Sequence, residues 1–198
     1  MLASGLVENV SITHLNLSHN KIADRGVRAL AKLLGSKSVI STLELQGNQL
    51  HTEGAKSLAR ALKSNQALTS LNLRLNRMDD SGCKVVCEAL KGNTYLERFN
   101  ISSNAAGPET VAALTPVIRL TTGLTELDMS CNSFGPKGCE QLRRAIEQNS
   151  SLQVSRGDQT RPAHGGTAAG ADHKLLGASM YAEHFTPPAN APSPTWAI

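Results

Sequence analysis

"LTSLNLRLNRMDDSGCKVVCEAL", residues 68–90, changes its periodicity half-way along. Leu68, Leu71 and Leu73 give Leu-x-x-Leu-x-Leu, and the last two stand two apart, as on one face of a strand. Past Gly82 the spacing becomes helical, with Val86 and Leu90 four apart. Asn76 sits at the joint. Where a strand ends and the chain bends inward, backbone N–H and C=O groups leave the sheet ladder while still shielded from water, and each needs a partner. An amide side chain offers two donors and an acceptor. Leucine offers none, and a charged group would cost desolvation.

The same joint returns every 28 residues, without insertion or deletion, in blocks that begin at Ile12, Ile40, Leu68, Leu96 and Leu124, with a sixth at Leu152. The fourth place of each block holds Leu15, Leu43, Leu71, Phe99 and Leu127, and the sixth holds Leu17, Leu45, Leu73, Ile101 and Met129. The ninth is always asparagine: Asn20, Asn48, Asn76, Asn104 and Asn132. A fixed period with L-x-x-L-x-L-x-x-N is the signature of a leucine-rich-repeat solenoid. The expected fold is therefore α/β: a horseshoe arc of strand–helix repeats, with a parallel sheet on the concave side and helices on the convex side. The five asparagines form a structural ladder in this reading.

The second half of each block predicts a helix. Asp24, Thr52 and Asp80 stand at the thirteenth place as candidate N-caps, with Pro108 and Pro136 there in blocks four and five. Gly26, Gly54, Gly82 and Gly138 follow two residues later, where close packing on the strand is expected. Leu30, Leu58, Val86, Leu114 and Leu142, then Leu34, Leu62, Leu90, Ile118 and Ile146, make one inward stripe. Arg28, Lys32, Lys56, Arg60, Lys84, Lys91, Arg143 and Arg144 fall on the opposite, solvated face. Asn65, Asn93 and Asn149 close helices before the next strand. Block four departs from the pattern with Phe99, Ala106, Thr110 in place of Gly, and Pro116 inside the helix, which predicts a kinked or shortened helix.

Composition agrees with thin, similar layers. Hydrophobic residues make up 40% of the 198, but aromatics only 3%, so the core must be built from Leu, Ile, Val and Ala. A net charge of +4 lacks the clustered Lys/Arg with interleaved aromatics of a nucleic-acid binder. Cys83, Cys87, Cys131 and Cys139 show no C-x-x-C spacing, and buried or half-buried free thiols in a reducing compartment are expected. No run approaches the roughly 20 apolar residues that span a bilayer, and the start "MLASGLVENVSITH" lacks the basic region of a signal peptide. The expectation is a soluble intracellular protein.

Catalytic constellations are not found. His14 and His19 have no cysteine or carboxylate at a base-orienting spacing, and no Gly-rich phosphate loop occurs. The chain is read as a scaffold, not an enzyme, with no cofactor, metal or small-molecule substrate. The candidate partner-binding surface is the concave face. There the columns Asn16, Glu44, Asn72, Asn100, Asp128 and Ser18, Gln46, Arg74, Ser102, Ser130 lie beside His14, Thr42, Ser70, Arg98, Glu126. From these, Asn16, Ser18, Glu44, Gln46, Asn72, Arg74, Arg98, Asn100, Glu126 and Asp128 are the candidate contact residues.

Residues 1–11 fit the last third of a preceding block, with Leu2, Leu6 and Asn9 one period before Leu30, Leu34 and Lys37, so further repeats or a partner are expected over that end. Residues 12–154 form the repeat domain in this reading. "LQVSRGDQ" starts a sixth strand and loses it, with Ser155 where leucine is expected, and the Gly/Ala/Pro-rich stretch 155–198 is expected to be disordered. Its "RGD", 156–158, is a coincidence for an intracellular chain, and the segment around Met180, Tyr181 and Phe185 is a candidate for docking elsewhere.

The 28-residue block with glycine near the helix start resembles the ribonuclease-inhibitor-like class of leucine-rich repeats. Within that class, "LNLSHNKIADRGVRALAKLL" (15–34), residues 68–90 and "LTELDMSCNSFGPKGCEQL" (124–142) resemble the t-complex-associated testis-expressed leucine-rich repeat family. "LNLRLNR" and "SCNSFG" are the more distinctive parts, and the resemblance covers about 12–154. It implies a structural subunit of the nexin–dynein regulatory complex, in the cytoskeleton of the axoneme of motile cilia and flagella, with the other subunits as partners. That family is longer at both ends. Two alternatives share the period: the ligand-sensing part of a nucleotide-binding innate immune receptor, and a GTPase-activating protein for a Ran-type GTPase.

Overall fold

The computed structural model describes residues 5, 6, 8–35 and 38–154. Within them six short strands, His14–Asn16 (β1), Thr42–Glu44 (β2), Ser70–Asn72 (β3), Arg98–Asn100 (β4), Glu126–Asp128 (β5) and Gln153–Val154 (β6), alternate with five α-helices. The helices are Ala23–Leu34 (α1), Thr52–Leu62 (α2), Asp79–Ala89 (α3), Pro108–Leu120 (α4) and Gly135–Glu147 (α5). The sheet is parallel, in the order β1-β2-β3-β4-β5-β6. Neighbouring strands lie about 4.8 Å apart, whereas packed helices need about 8–10 Å. The sheet therefore takes the inner arc and the helices the outer one.

From β1 to β5 each residue pairs with the one 28 positions on, as Leu43 with Leu71 and Leu71 with Phe99. Backbone pairing runs on past the strands, with Leu45 N donating to Asn72 O at 2.8 Å and Leu75 N to Ser102 O at 3.0 Å. The last strand breaks step. Leu127 pairs with Val154, 27 residues on, so Val154 and not Ser155 takes the place opposite that leucine. The rest of the tail expectations, including "RGD" and the segment around Tyr181, lie outside the described residues.

Leu43, Leu45, Leu58, Leu62, Leu71, Leu73, Val86 and Leu114 are fully enclosed, one layer after another. Phe99 and Phe134 are the aromatics of this core. Behind β1 to β5 the chain turns through a left-handed residue, with φ 60° at His19, 66° at Gly47, 54° at Leu75, 55° at Ser103 and 54° at Cys131.

The ninth-place asparagines fill this turn. Asn76 Oδ1 accepts from Asn48 N at 2.9 Å and Leu50 N at 3.1 Å, while its Nδ2 donates to Leu45 O and Leu73 O at 2.9 Å each. Asn48 and Asn132 bond the repeats before them in the same way. Asn104 does half of this: its Nδ2 donates to Leu73 O at 2.8 Å, but its buried Oδ1 has no partner. The turn of the third repeat has gone elsewhere, Arg77 N back to Leu50 O at 2.8 Å and Asp79 N to the Asn104 main-chain oxygen at 3.1 Å.

A second ladder stands at the other end of the strands. Asn65 Nδ2 donates to Leu34 O at 2.7 Å and its Oδ1 accepts from Leu68 N at 2.7 Å. Asn93 repeats this with Leu62 and Leu96, and Asn149 with Ile118 and Leu152. These residues tie the preceding repeat's helix end to the start of the following repeat's strand. In the fourth repeat Thr121 Oγ1 takes the strand-side part alone, accepting from Leu124 N at 3.0 Å.

The helix starts correct three expectations. Asp24, Thr52 and Asp80 do not cap their own helices; none of these helices has a side-chain cap from its N-cap residue, and all three side chains reach into the next repeat. Asp24 Oδ1 accepts from His51 N at 2.7 Å, Thr52 Oγ1 donates to Met78 O at 3.1 Å, and Asp80 holds the start of α4. Gly54, Gly82 and Gly138 come close to the preceding helix start, not to the strand, whereas Gly26 meets Ile22 of its own repeat. A Cβ on Gly82 would lie 3.2 Å from Thr52 Cα, and one on Gly54 would lie 2.6 Å from Asp24 Oδ1. Nor is the fourth helix shortened. α4 runs 13 residues through Pro116, as long as α5, because Val111, Leu114, Val117 and Ile118 are buried along it and hold the turn that lacks a donor.

Candidate functional site

The inner sheet face presents three side-chain columns. In the central one, Asn16, Asn72, Asn100 and Asp128 each accept, through Oδ1, the backbone N–H two residues on: Ser18 at 3.0 Å, Arg74 at 2.9 Å, Ser102 at 2.9 Å and Ser130 at 3.1 Å. These short loops hold the side chains upright where the strand ends. Glu44, too long for that loop, instead accepts from Asn72 Nδ2 at 2.7 Å. Asn100 Nδ2 turns the other way and donates to Asp128 Oδ2 at 3.0 Å. The two amides thus point apart, and no side-chain bond crosses between β3 and β4 in this column among the described residues.

The flanking columns are less uniform. Arg74, Arg98 and Glu126 are exposed, Ser18 and Gln46 half-buried, and Ser70 and Ser102 buried. Gln46 Nε2 lies 3.3 Å from His19 Nε2. Arg98 and Glu126 are direct partners in the sheet register, yet no ion pair joins them. The Lys/Arg–Glu ion pairs lie on the helical side: Lys56–Glu53 at 2.7 Å, Lys84–Glu109 at 3.0 Å, and Arg143 and Arg144 on Glu140, with Arg143 also on Glu147. Hydrogen bonds from Arg143 and Arg144 hold the Glu140 carboxyl down to about 2, and Glu109 holds the Lys84 ammonium above its usual range.

The thiols have no reactive setting. Burial, reinforced by Asp80 and Asp79, pushes Cys83 up to about 12, and burial raises Cys87 well above the ordinary thiol range. Both are core residues on α3, free and protonated. Cys131 departs from the expected burial: it is exposed, because it occupies the left-handed turn on the rim. No group of three or more His, Cys, Asp or Glu side chains among the described residues could hold a metal ion. No described helix is long and apolar enough to cross a membrane. Such a face can recognise charge and hydrogen-bonding pattern.

A family model described as "Leucine Rich repeat" matches residues 8–31, 37–59, 64–87 and 122–142. The chain is a leucine-rich-repeat solenoid. The fourth repeat, with Phe99, Ala106 and Thr110, lies between the matched stretches, although the solenoid's sheet register runs through it unchanged. The solved structure entitled "Leiomodin-1 Actin-Binding Site 2 (ABS2)" is similar, with a TM-score of 0.64 and 19% identity over 75% of this chain and 87% of that chain. At this identity the likeness is one of fold. Comparison with curated proteins gives no match. Leucine-rich repeats act as protein-interaction modules, and the family match brings no catalytic family with it.

The ten candidate contact residues share one face, spread over five strands. Sequence reasoning missed the Asp24 and Asp80 contacts between repeats, for which spacing within one block carries no signal. The exposed Leu75 was also missed, although it breaks the polar character of its place, held elsewhere by His19, Gly47, Ser103 and Cys131.

Proposed function

We propose that this solenoid is a non-enzymatic scaffold that binds other proteins through its concave face, within the nexin–dynein regulatory complex of cilia and flagella. The observation that carries the scaffold reading is the row of upright polar side chains on the inner sheet, from Asn16 to Asp128, fixed by bonds to their own turns. Such prearranged groups lose little freedom when a partner arrives. The resemblance of residues 15–34, 68–90 and 124–142 supports the axonemal setting.

The test is retention. The tagged chain in a flagellated cell should stay with demembranated axonemes at a regular spacing along the doublets and bring dynein-regulatory subunits into the pull-down. A wholly diffuse, extractable protein that captures none of them sinks the axonemal assignment. The likeness to a leiomodin structure whose title names an actin-binding site motivates a second reading, a cytoskeletal scaffold on actin. Co-sedimentation with actin filaments, without retention on axonemes, would move the assignment there.

A further inference from the structure

Not every exposed arginine of this solenoid is paired, and Arg25 and Arg28 on α1 hold no side-chain partner among the described residues. Arg60, Arg119, Arg143 and Arg144 on the helices hold side-chain partners: Lys56 O, Gln148, and the carboxylates of Glu140 and Glu147. Arg74, Arg77 and Arg98, on the inner face and its rim, are exposed and hold none. Nearby acids do not neutralise them. Glu44 is engaged by Asn72, Asp128 by Asn100 and Ser130, and Glu126 stays apart from Arg98. Leu75 stands between Arg74 and Arg77 with 53% of its surface exposed, at φ 54°. One repeat earlier this place is Gly47, which adopts the left-handed turn with no side chain to strain.

Arg98 pairs across the sheet with Ser70, and Arg74 lies four residues beyond Ser70. At about 3.3 Å per residue the two arginines are set about 13 Å apart along the strands and one strand spacing across. An extended segment spans that distance between side chains four residues apart, which point to the same side.

We propose that the β3–β4 seam, from Arg98 to Arg74, Leu75 and Arg77, docks an extended acidic segment of a partner protein. Two carboxylates four residues apart meet Arg98 and Arg74, and an apolar side chain beside the second covers Leu75. The proposal rests on the scaffold reading and adds to it the partner's chemistry and its place. Free guanidiniums with carboxylate partners give charge-assisted bonds, and Leu75 supplies an apolar anchor beside them.

The test pans a random dodecapeptide phage library on the full chain, then measures the affinity of a synthetic copy of the most enriched peptide. Peptides with paired Asp/Glu at the stated spacing and an apolar neighbour are expected, bound more weakly as salt rises. Arg74→Glu with Arg98→Glu should cost at least tenfold in affinity, and Leu75→Ser several-fold, with melting temperatures unchanged. Arg25→Glu with Arg28→Glu, on the exposed side of α1, should change little.

Enrichment of peptides without acidic pairs overturns the seam. So does an acidic peptide that ignores the seam variants but responds to Arg25 and Arg28, or enrichment no better than on the Arg74→Glu/Arg98→Glu chain. Protein capture through other columns of the concave face would overturn the seam and leave the scaffold reading standing. A chain that captures no protein in the axonemal pull-down, yet binds acidic peptides at the seam, would separate the two in the other direction.

Discussion

Asp80 and Thr110, in successive repeats, are joined by three hydrogen bonds. The Thr110 amide and hydroxyl donate to Asp80 Oδ1 at 2.8 and 2.7 Å, and the hydroxyl also reaches Asp80 O at 3.1 Å. Gly107 N and Glu109 N complete the set on the same carboxylate, at 2.8 and 2.9 Å. The N-terminal cap of α4 is thus supplied by α3. Thr110 stands where the neighbouring repeats have glycine because its hydroxyl meets that carboxylate.

Replacing Asp80 by Ala should cost about 1–2 kcal/mol, the usual worth of a cap, read by chemical denaturation. Burial raises the Asp80 carboxyl, but the hydrogen bonds from Glu109, Thr110 and Gly107 outweigh it and the folded value is lowered. A lowered carboxyl stabilises the fold above its unfolded value of about 3.9 and loses that contribution as pH falls through the folded value. The stability gap between wild type and Asp80→Asn should therefore be constant near neutrality and close below about pH 4. A gap independent of pH down to 2.5 contradicts the capping account.

Asn76→Leu strands the amides of Asn48 and Leu50 and the carbonyl of Leu45, while Leu73 O keeps the Asn104 amide. Each buried orphan costs about 1–3 kcal/mol, so a large fall in melting temperature is expected. Asn104→Leu strands no backbone donor, since Asn104 Oδ1 accepts nothing. It should cost clearly less, and equal losses at the two sites would defeat this reading of the ladder.

Gly54→Ala places a methyl 2.2 Å from Leu50 Cδ1, 2.6 Å from Asp24 Oδ1 and 3.2 Å from Asp24 Cα. Overpacking of about 1–3 kcal/mol should exceed the gain of about 1 kcal/mol in helix propensity. A more stable variant would mean that Leu50 and the start of α1 give way without loss of packing.

Pro116→Ala restores a donor inside α4 without changing the buried stripe of Val111, Leu114 and Ile118. Stabilisation of up to about 3 kcal/mol is expected, measured as a higher denaturation midpoint. No gain would show that the proline is accommodated without strain.

Thiol labelling of the native chain with iodoacetamide, read by mass spectrometry, should modify Cys131 first. Cys83 and Cys87 should stay unlabelled until unfolding, because burial both covers them and keeps them protonated. Rapid native labelling of Cys87 would show that α3 opens locally.

Much of this was legible from the chain alone, because one repeat is a complete physical statement. Leu71 and Leu73 must be buried, Asn76 must serve a turn, and Val86 with Leu90 must face inward, whatever precedes or follows. Repetition then fixes a parallel sheet inside and helices outside, since strands pack more closely than helices do. What the spacing within a block does not encode is what one layer does to the next. That Asp80 caps α4 and not α3, that Gly54 touches Asp24, that Asn104 is left with an idle oxygen and that Val154 steps forward by one residue are all relations between repeats. So is the seam, where Asn72 and Asn100 turn apart and leave Arg74 and Arg98 unpaired. Periodicity sets each side chain's face, and only the stacked layers decide which neighbour it finds there.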